Sequence, residues 1–292
     1  MDRRKAISEG RAKAIYQGLE AGTLIQYFKD DVATADENQA NDKPTSMAGK
    51  GVLNNRISAH IMTKLESVGV PTHFIRSLNM REQLVRQVQM VPLEVVVRNA
   101  AQGEICDRLG AKEGQVFTQP LIEFYYKKES GEKSLATKTL VSEQHIMNFQ
   151  WADPYELEEI VFQTMRINDF LSGLFTAIGV RLIDFKIEFG RLFGAHEELY
   201  IILADDISPD NCCLWDDQTG KKIDKNRFPK EGADIVEGYQ EIAKRLGLIP
   251  QSGIIEDGNI NETAAQDLSE ITNDTGTRHL RSVKKTSGKP RV

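Results

Sequence analysis

Hydrophobic and polar residues alternate most cleanly between residues 180 and 190. Ile183, Phe185, Ile187 and Phe189 fall on one face of an extended strand, and Asp184, Lys186 and Glu188 on the other. Side chains two apart on a strand share a face and sit roughly 7 Å apart. Residues 190–198 read as a loop, and the apolar run 199–204 reads as a returning strand that ends in Asp205 and Asp206. Helical spacing appears in three places. Leu53, Ile57, Ile61, Leu65 and Val68 make one stripe, closed by Gly69 and Pro71. Leu157, Ile160, Val161, Met165, Leu171, Leu174, Phe175 and Ile178 make a longer one. It is opened by Asp153-Pro154-Tyr155-Glu156, a cap, a proline at the first position and a glutamate returning to the cap. Residues 233–246 form the third, before Gly247.

Further strands are expected over 8–16 and 24–28, over 73–76, over the buried run Val95-Val96-Val97, and over 121–126. Residues 80–88 read as a short helix. Two polar stretches, 29–48 and 127–139, read as loops. From 249 onward aromatic residues vanish and Ser, Asn, Thr, Asp, Gly and Lys dominate. Such a segment buries too little apolar area to offset ordering its backbone, so 249–292 reads as a largely disordered tail, with a short helix over 261–271 allowed.

Composition narrows the class. The chain has 292 residues, 40% hydrophobic and 27% charged, which suits one large domain or two smaller ones sharing a cleft. The net charge of −6 argues against a general nucleic-acid footprint. Three cysteines, two of them adjacent at 212 and 213, do not form a disulfide framework, and the five histidines show no zinc spacing with them. No signal peptide or membrane-spanning run is evident, so a cytoplasmic location is expected. The sequence leaves the oligomeric state open, a homo-oligomer included.

The Asp184-Lys186-Glu188 row suits magnesium–nucleotide chemistry. Mg²⁺ takes one or two carboxylates plus phosphate oxygens, and a lysine between them offsets charge on a transferring phosphoryl group. A solvated edge hairpin explains the same pattern equally well. Gly10 places a flexible backbone beside Arg11 and Lys13, two cations that, two apart, would share a strand face, although an ordinary strand turn fits too. Gly49-Lys50-Gly51 at a helix entrance is either an anion site or a flexible cap. Arg98, at the end of a buried strand, requires an anionic partner, from the protein or from a phosphate.

In order along the chain, S-E-G-R-A-K-A-I-Y, F-K-D-D, G-K-G-V-L-N-N, G-V-P-T-H-F-I, M-V-P-L-E-V-V-V-R-N, I-E-F-Y-Y-K, L-I-D-F-K-I-E-F-G, D-I-S-P-D and L-W-D resemble the SAICAR synthetase family over about residues 7–247. The resemblance implies an α+β fold with two lobes. Residues 1–90 would form a small antiparallel-sheet lobe with one helix. Residues 91–248 would form a larger α/β lobe, similar to kinases and ATP-grasp enzymes, with ATP in the cleft. It implies an ATP- and Mg²⁺-dependent carbon–nitrogen ligase of purine biosynthesis that joins L-aspartate to the carboxylate of a phosphorylated aminoimidazole ribonucleotide. Carried over residue by residue, Gly10, Arg11, Ala12 and Lys13 would lie over the ATP phosphates. Glu188 and Asp205, with Asp184, would serve the metal. Asp184 and Lys186 would face the carboxylate being activated. Arg98 would meet the ribonucleotide phosphate, with Lys50 also on the substrate side.

The chain departs from the family on that substrate side. R-N-A-A-Q-G-E stands where the family has R-N-x-x-A-G-S, so Glu104 replaces a serine on the phosphate. S-P-D-N-C-C-L-W-D stands where the family has an arginine, so Cys213 replaces a cation on the same phosphate. Asp107 precedes R-L-G where the family often has a basic residue, and an Asp-Pro pair after the Y-Y-K strand is missing. These departures raise two alternatives to the family reaction. One is an ATP-dependent acid–amine ligase acting on a non-phosphorylated carboxylate. The other is a catalytically weak nucleotide-binding protein.

Overall fold

The computed structural model describes residues 5–32, 45–127, 139–224 and 233–250. The expected helix over 261–271, the tail beyond 250 and most of the two polar loops lie outside the described residues. The first part of the chain forms β1 (Ser8–Glu9), β2 (Lys13–Gln17), β3 (Thr23–Phe28), a two-stranded ladder of β4 (Asp31–Val32) and β5 (Thr45–Ser46), α1 (Lys50–Ser67), β6 (Phe74–Ser77) and β7 (Glu82–Arg86). Five of these strands make an antiparallel sheet in the order β1-β2-β3-β7-β6. The chain then crosses to a second antiparallel sheet. Its elements are β8 (Gln89–Ala100), α2 (Glu104–Leu109), β9 (Val116–Tyr126), β10 (Thr139–Val141), α3 (Glu143–Asn148), α4 (Pro154–Ala177), β11 (Val180–Phe193), β12 (Leu199–Ala204), β13 (Cys212–Asp216) and α5 (Ala233–Arg245). The strand order is β10-β9-β8-β11-β12, with β13 also on β11. Helices beside antiparallel sheets make this an α+β fold, as expected.

The second sheet has one apolar face. Phe185, Ile187 and Phe189 of β11 pack into one core with Val95 and Val97 of β8 and with Ile160, Ile167, Leu171 and Phe175 of α4. Burying each such side chain contributes roughly 1.5–3 kcal/mol. The start of α4 follows its sequence signature. Asp153 accepts from the Glu156 amide at 2.9 Å and Glu156 returns to the Asp153 amide at 2.8 Å.

Four expectations are corrected. Residues 80–88 are not helical: β7 occupies 82–86. Met80, Leu84 and Val88 mimic a helical stripe, but Gln83, Leu84 and Val85 are all buried, as in a strand covered on both faces. Residue 190 does not begin a loop, because β11 runs on to Phe193. A Cβ at Gly190 would lie 2.3 Å from the Val88 side chain, so the glycine permits the crossover between sheets to pass close by. Ile183 does not share a face with Phe185. The register shift between Leu182 and Asp184 against β13 sends Leu182 into the main core and Ile183 to a small cluster with Ala100, Cys213 and Trp215. Residue 249 does not begin a tail, since Ile249 is buried in the core.

α5 returns to the first half of the chain and packs on α1. Its last residue, Arg245, donates to Asp216 at 2.7 Å, and Asp216 also accepts from the Thr219 hydroxyl and amide. The Thr219 bonds, then Arg245, hold the Asp216 carboxyl down at about 2. A depressed folded-state pKa stabilises above the ordinary aspartate value, and that contribution is lost as pH falls toward 2. Wild type is therefore expected to lose up to about 2 kcal/mol between pH 4 and pH 2 through this group. Urea melts of Asp216→Asn should be correspondingly flatter over that window. Parallel pH dependences would remove Asp216 as a contributor.

Candidate active site

The face of the second sheet turned away from α4 carries ionisable residues on three neighbouring strands. β9 contributes Glu123 and Tyr125, β8 contributes Glu94 and Arg98, and β11 contributes Asp184, Lys186 and Glu188. The antiparallel register places Arg98 opposite Asp184 and Glu94 opposite Glu188. The row read from the sequence is therefore present, with Asp184, Arg98 and Glu94 largely buried.

At one end of the row Glu188 pairs in register with Ala204, so it stands beside Asp205. Lys13 reaches across from the first sheet. Its ammonium donates to both Asp205 and Asp206. Burial disfavours the Lys13 charge, but the two carboxylates outweigh it and hold its pKa above the usual lysine range. Burial and then the neighbouring Asp205 charge push the Glu188 carboxyl up, against the opposing pull of Lys127, which donates to it at 2.5 Å. Asp205 has φ 60°, a left-handed conformation uncommon outside glycine. Its carbonyl accepts from His73 Nε2 at 2.7 Å. Burial, opposed by Asp205, holds His73 down at about 4, so near neutrality it is an uncharged donor.

At the other end Arg98 gathers three partners. Its Nε donates to Glu123 at 2.7 Å, its terminal nitrogen faces the Tyr125 hydroxyl at 3.5 Å, and Asp184 lies 3.5 Å away. Arg108 of α2 donates to the second oxygen of Glu123. Between the two ends, the Lys186 ammonium lies 3.8 Å from Glu94.

A family model for SAICAR synthetase matches residues 6–246. The phosphoribosylaminoimidazole-succinocarboxamide synthase of Hyphomonas neptunium is 53% identical over 264 residues, covering 90% of this chain and 98% of that protein. The chain belongs to the SAICAR synthetase family. Among solved structures, the synthase from Ehrlichia chaffeensis is 44% identical with a TM-score of 0.77, over 85% of this chain and all of that one. A SAICAR synthetase in complex with ADP is 34% identical with a TM-score of 0.73, over 82% of this chain and 96% of that one. The two-sheet α+β architecture is thus the family's fold.

Measured against the residues carried over from the family, the geometry gathers some and separates others. Lys13, Asp205 and Glu188 come together, and Lys186 and Asp184 follow them along the strand. Asp184 does not join the metal candidates. It stands four residues from Glu188, about 13 Å along the strand, and it pairs with Arg98. No cluster of three or more His, Cys, Asp or Glu among the described residues could hold a metal ion by itself. Glu188 and Asp205 nevertheless fit Mg²⁺, which takes one or two protein carboxylates and completes its shell with phosphate oxygens and water. The crowding that raises Glu188 is the charge a divalent cation would relieve.

Three further expectations shift. The Gly10 amide donates to Lys13 O at 2.9 Å and so closes a turn rather than waiting for a phosphate. Exposed Arg11 and half-buried Ala12 lie on that turn, outside β2, so strand alternation does not align Arg11 with Lys13. Lys50 does not face a substrate. It is 1% exposed, donates to Asp210 at 2.5 Å and to the Asp31 carbonyl at 3.1 Å, and Asp210 also accepts from Asn54 and Tyr239. The anion at that helix entrance is internal: Asp30 accepts the Gly51 amide at 2.8 Å and two bonds from Arg81.

Two of the departures from the family pattern, Glu104 and Cys213, border the Arg98–Arg108 cluster. Glu104 opens α2, exposed, 4.0 Å from Arg108. Cys213 is opposite Asp184 in register and packs with Ala100, Ile183 and Trp215. Sequence reasoning missed Glu123, Tyr125 and Arg108. Reading I-E-F-Y-Y with period two puts Glu123 and Tyr125 on one face, but only the register with β8 shows that it is the face of Arg98.

Proposed function

We propose that the chain is a phosphoribosylaminoimidazole-succinocarboxamide synthase. It joins L-aspartate to the carboxylate of carboxyaminoimidazole ribonucleotide and converts ATP to ADP and phosphate. The observation that carries this reading is the ion-pair row of β11 meeting Lys13 of the opposite sheet at Asp205. The relatives' names and the ADP complex of one family member support it. The three free cysteines suit a reducing cytoplasm, where we place the reaction.

A carboxylate is a poor acyl donor until its oxygen is phosphorylated. The site must therefore bring two anions together, and fixed cations do this at least reorganisation cost. Lys13 holds the phosphate end of ATP and exchanges Asp205 and Asp206 for phosphate oxygens. Glu188 and Asp205 would hold Mg²⁺, which when bound neutralises phosphate charge. Lys186 stands beside the carboxylate under activation, with Asp184 fixing the neighbouring Arg98 for the ribonucleotide phosphate. Phosphoryl transfer breaks the bond between the γ-phosphorus and its bridging oxygen and forms one to the substrate carboxylate. The aspartate amine then displaces phosphate from the acyl carbon. A concerted path uses the same residues.

A second reading, a ligase for a non-phosphorylated carboxylate, rests on Cys213 offering no cation and Glu104 adding a carboxylate beside Arg108. Expression of this chain is expected to restore growth of a purine auxotroph lacking the step. ADP release should require both aspartate and the ribonucleotide. Faster turnover of the dephosphorylated nucleoside than of the ribonucleotide would establish the second reading instead.

A further inference from the structure

The cluster at the Arg98 end is closed by its own carboxylate. Each oxygen of Glu123 takes one arginine, Arg98 on one side and Arg108 on the other, and the Tyr125 hydroxyl donates to it at 3.1 Å. Asp184 supplies the second negative charge, so two guanidinium groups face two carboxylates with no excess for an incoming anion. Glu104 adds a third carboxylate at the rim. A further donor stands by: Arg108 Nε is buried and has no acceptor among the described residues. The arginines are thus arranged as for an oxyanion, with Glu123 in its place.

We propose that Glu123 acts as an internal stand-in for the substrate's phosphate and sets how tightly that end binds. This inference rests on the proposed function, in which the ribonucleotide phosphate approaches Arg98. On binding, the phosphate takes the Arg98 and Arg108 donors that Glu123 holds, together with the unused Arg108 Nε. Glu123 keeps the Tyr125 hydroxyl. Affinity at this end is then the difference between two anions competing for the same donors. A phosphorylated substrate binds more weakly than two arginines alone would give, and selectivity over the non-phosphorylated form is compressed. Holding the guanidinium planes in place through Glu123 lowers the ordering cost when phosphate arrives.

Glu123→Gln removes the competing charge and keeps an acceptor. Calorimetric titration of the full chain with ribose 5-phosphate, in the presence of ADP and Mg²⁺, should show binding about tenfold tighter in the variant. KM for the ribonucleotide should fall by a similar factor, with kcat changed less. Unchanged binding overturns the proposal. So does weaker binding, because Glu123 would then only position the arginines. If Glu123→Gln does not fold, the Arg Nε–H resonances of the wild-type protein report the same exchange. They should move on titration with ribose 5-phosphate, and resonances that stay fixed at saturation overturn the inference. The wild-type ADP-release assay is separate. Its failure would reject the proposed reaction, whereas wild-type turnover with an unresponsive Glu123→Gln would reject only the stand-in role.

Discussion

Lys186→Met is expected to lower kcat by about 10²–10³-fold while KM for ATP stays within about twofold. Lys186 sits at the middle of the row, flanked by Asp184 and Glu188 and 3.8 Å from Glu94. Negative charge surrounds it in the resting site, so its ammonium is placed where further negative charge arrives during transfer. Removing one preorganised donor to a developing anion costs roughly 2.7–4 kcal/mol of transition-state stabilisation. ATP itself is held elsewhere in the proposal, by Lys13, Glu188 and Asp205, which the substitution leaves in place. Single-turnover kinetics with saturating aspartate would check the split. A large rise in KM for ATP at constant kcat would make Lys186 a ground-state nucleotide contact and remove it from the chemical step.

The second large effect is on stability. Lys50→Met should lower unfolding free energy by about 3–5 kcal/mol, because it leaves Asp210 without its charged partner. The melting temperature should fall by on the order of 10 °C. Asn54 and Tyr239 still donate to Asp210, so the loss should stop short of complete unfolding. Adding Asp210→Asn should recover part of it, since contacting residues are non-additive. Thermal melts of the single and double variants decide the matter. If Lys50 instead bound substrate, the melting temperature would hold and a substrate KM would rise.

The Lys50 result marks where sequence reasoning stops. Gly49-Lys50-Gly51 was legible as a helix entrance with anion-binding chemistry, and the chemistry is there. The anions are Asp30 and Asp210, and no spacing rule pairs residues 50 and 210. By contrast, the β11 row, the capping box of α4 and the α1 stripe from Leu53 to Leu65 depend on neighbours within a few positions, and they read directly; only Val68, past the helix end, is exposed instead of buried. The helix expected over 80–88 failed because strand β7 is covered on both faces, which erases alternation. Alternation gives Asp184 a face but not a partner, and only the register with β8 shows Arg98 opposite it. Glu123 escaped notice for the same reason.

The Asp210 cluster draws its donors from α1 and from α5, the last helix among the described residues, beyond a long stretch of intervening chain. During synthesis the first sheet and α1 leave the ribosome well before Tyr239 is made. Asp210 then has its donors from α1, Lys50 and Asn54, but lacks its tyrosine, so the turn that follows Asp205 and Asp206 is only partly anchored. Loop-closure entropy delays such distant pairings further. A nascent chain can therefore fold most of both sheets before that last donor arrives, so the acidic pair that would receive nucleotide should become fully fixed only once translation passes α5.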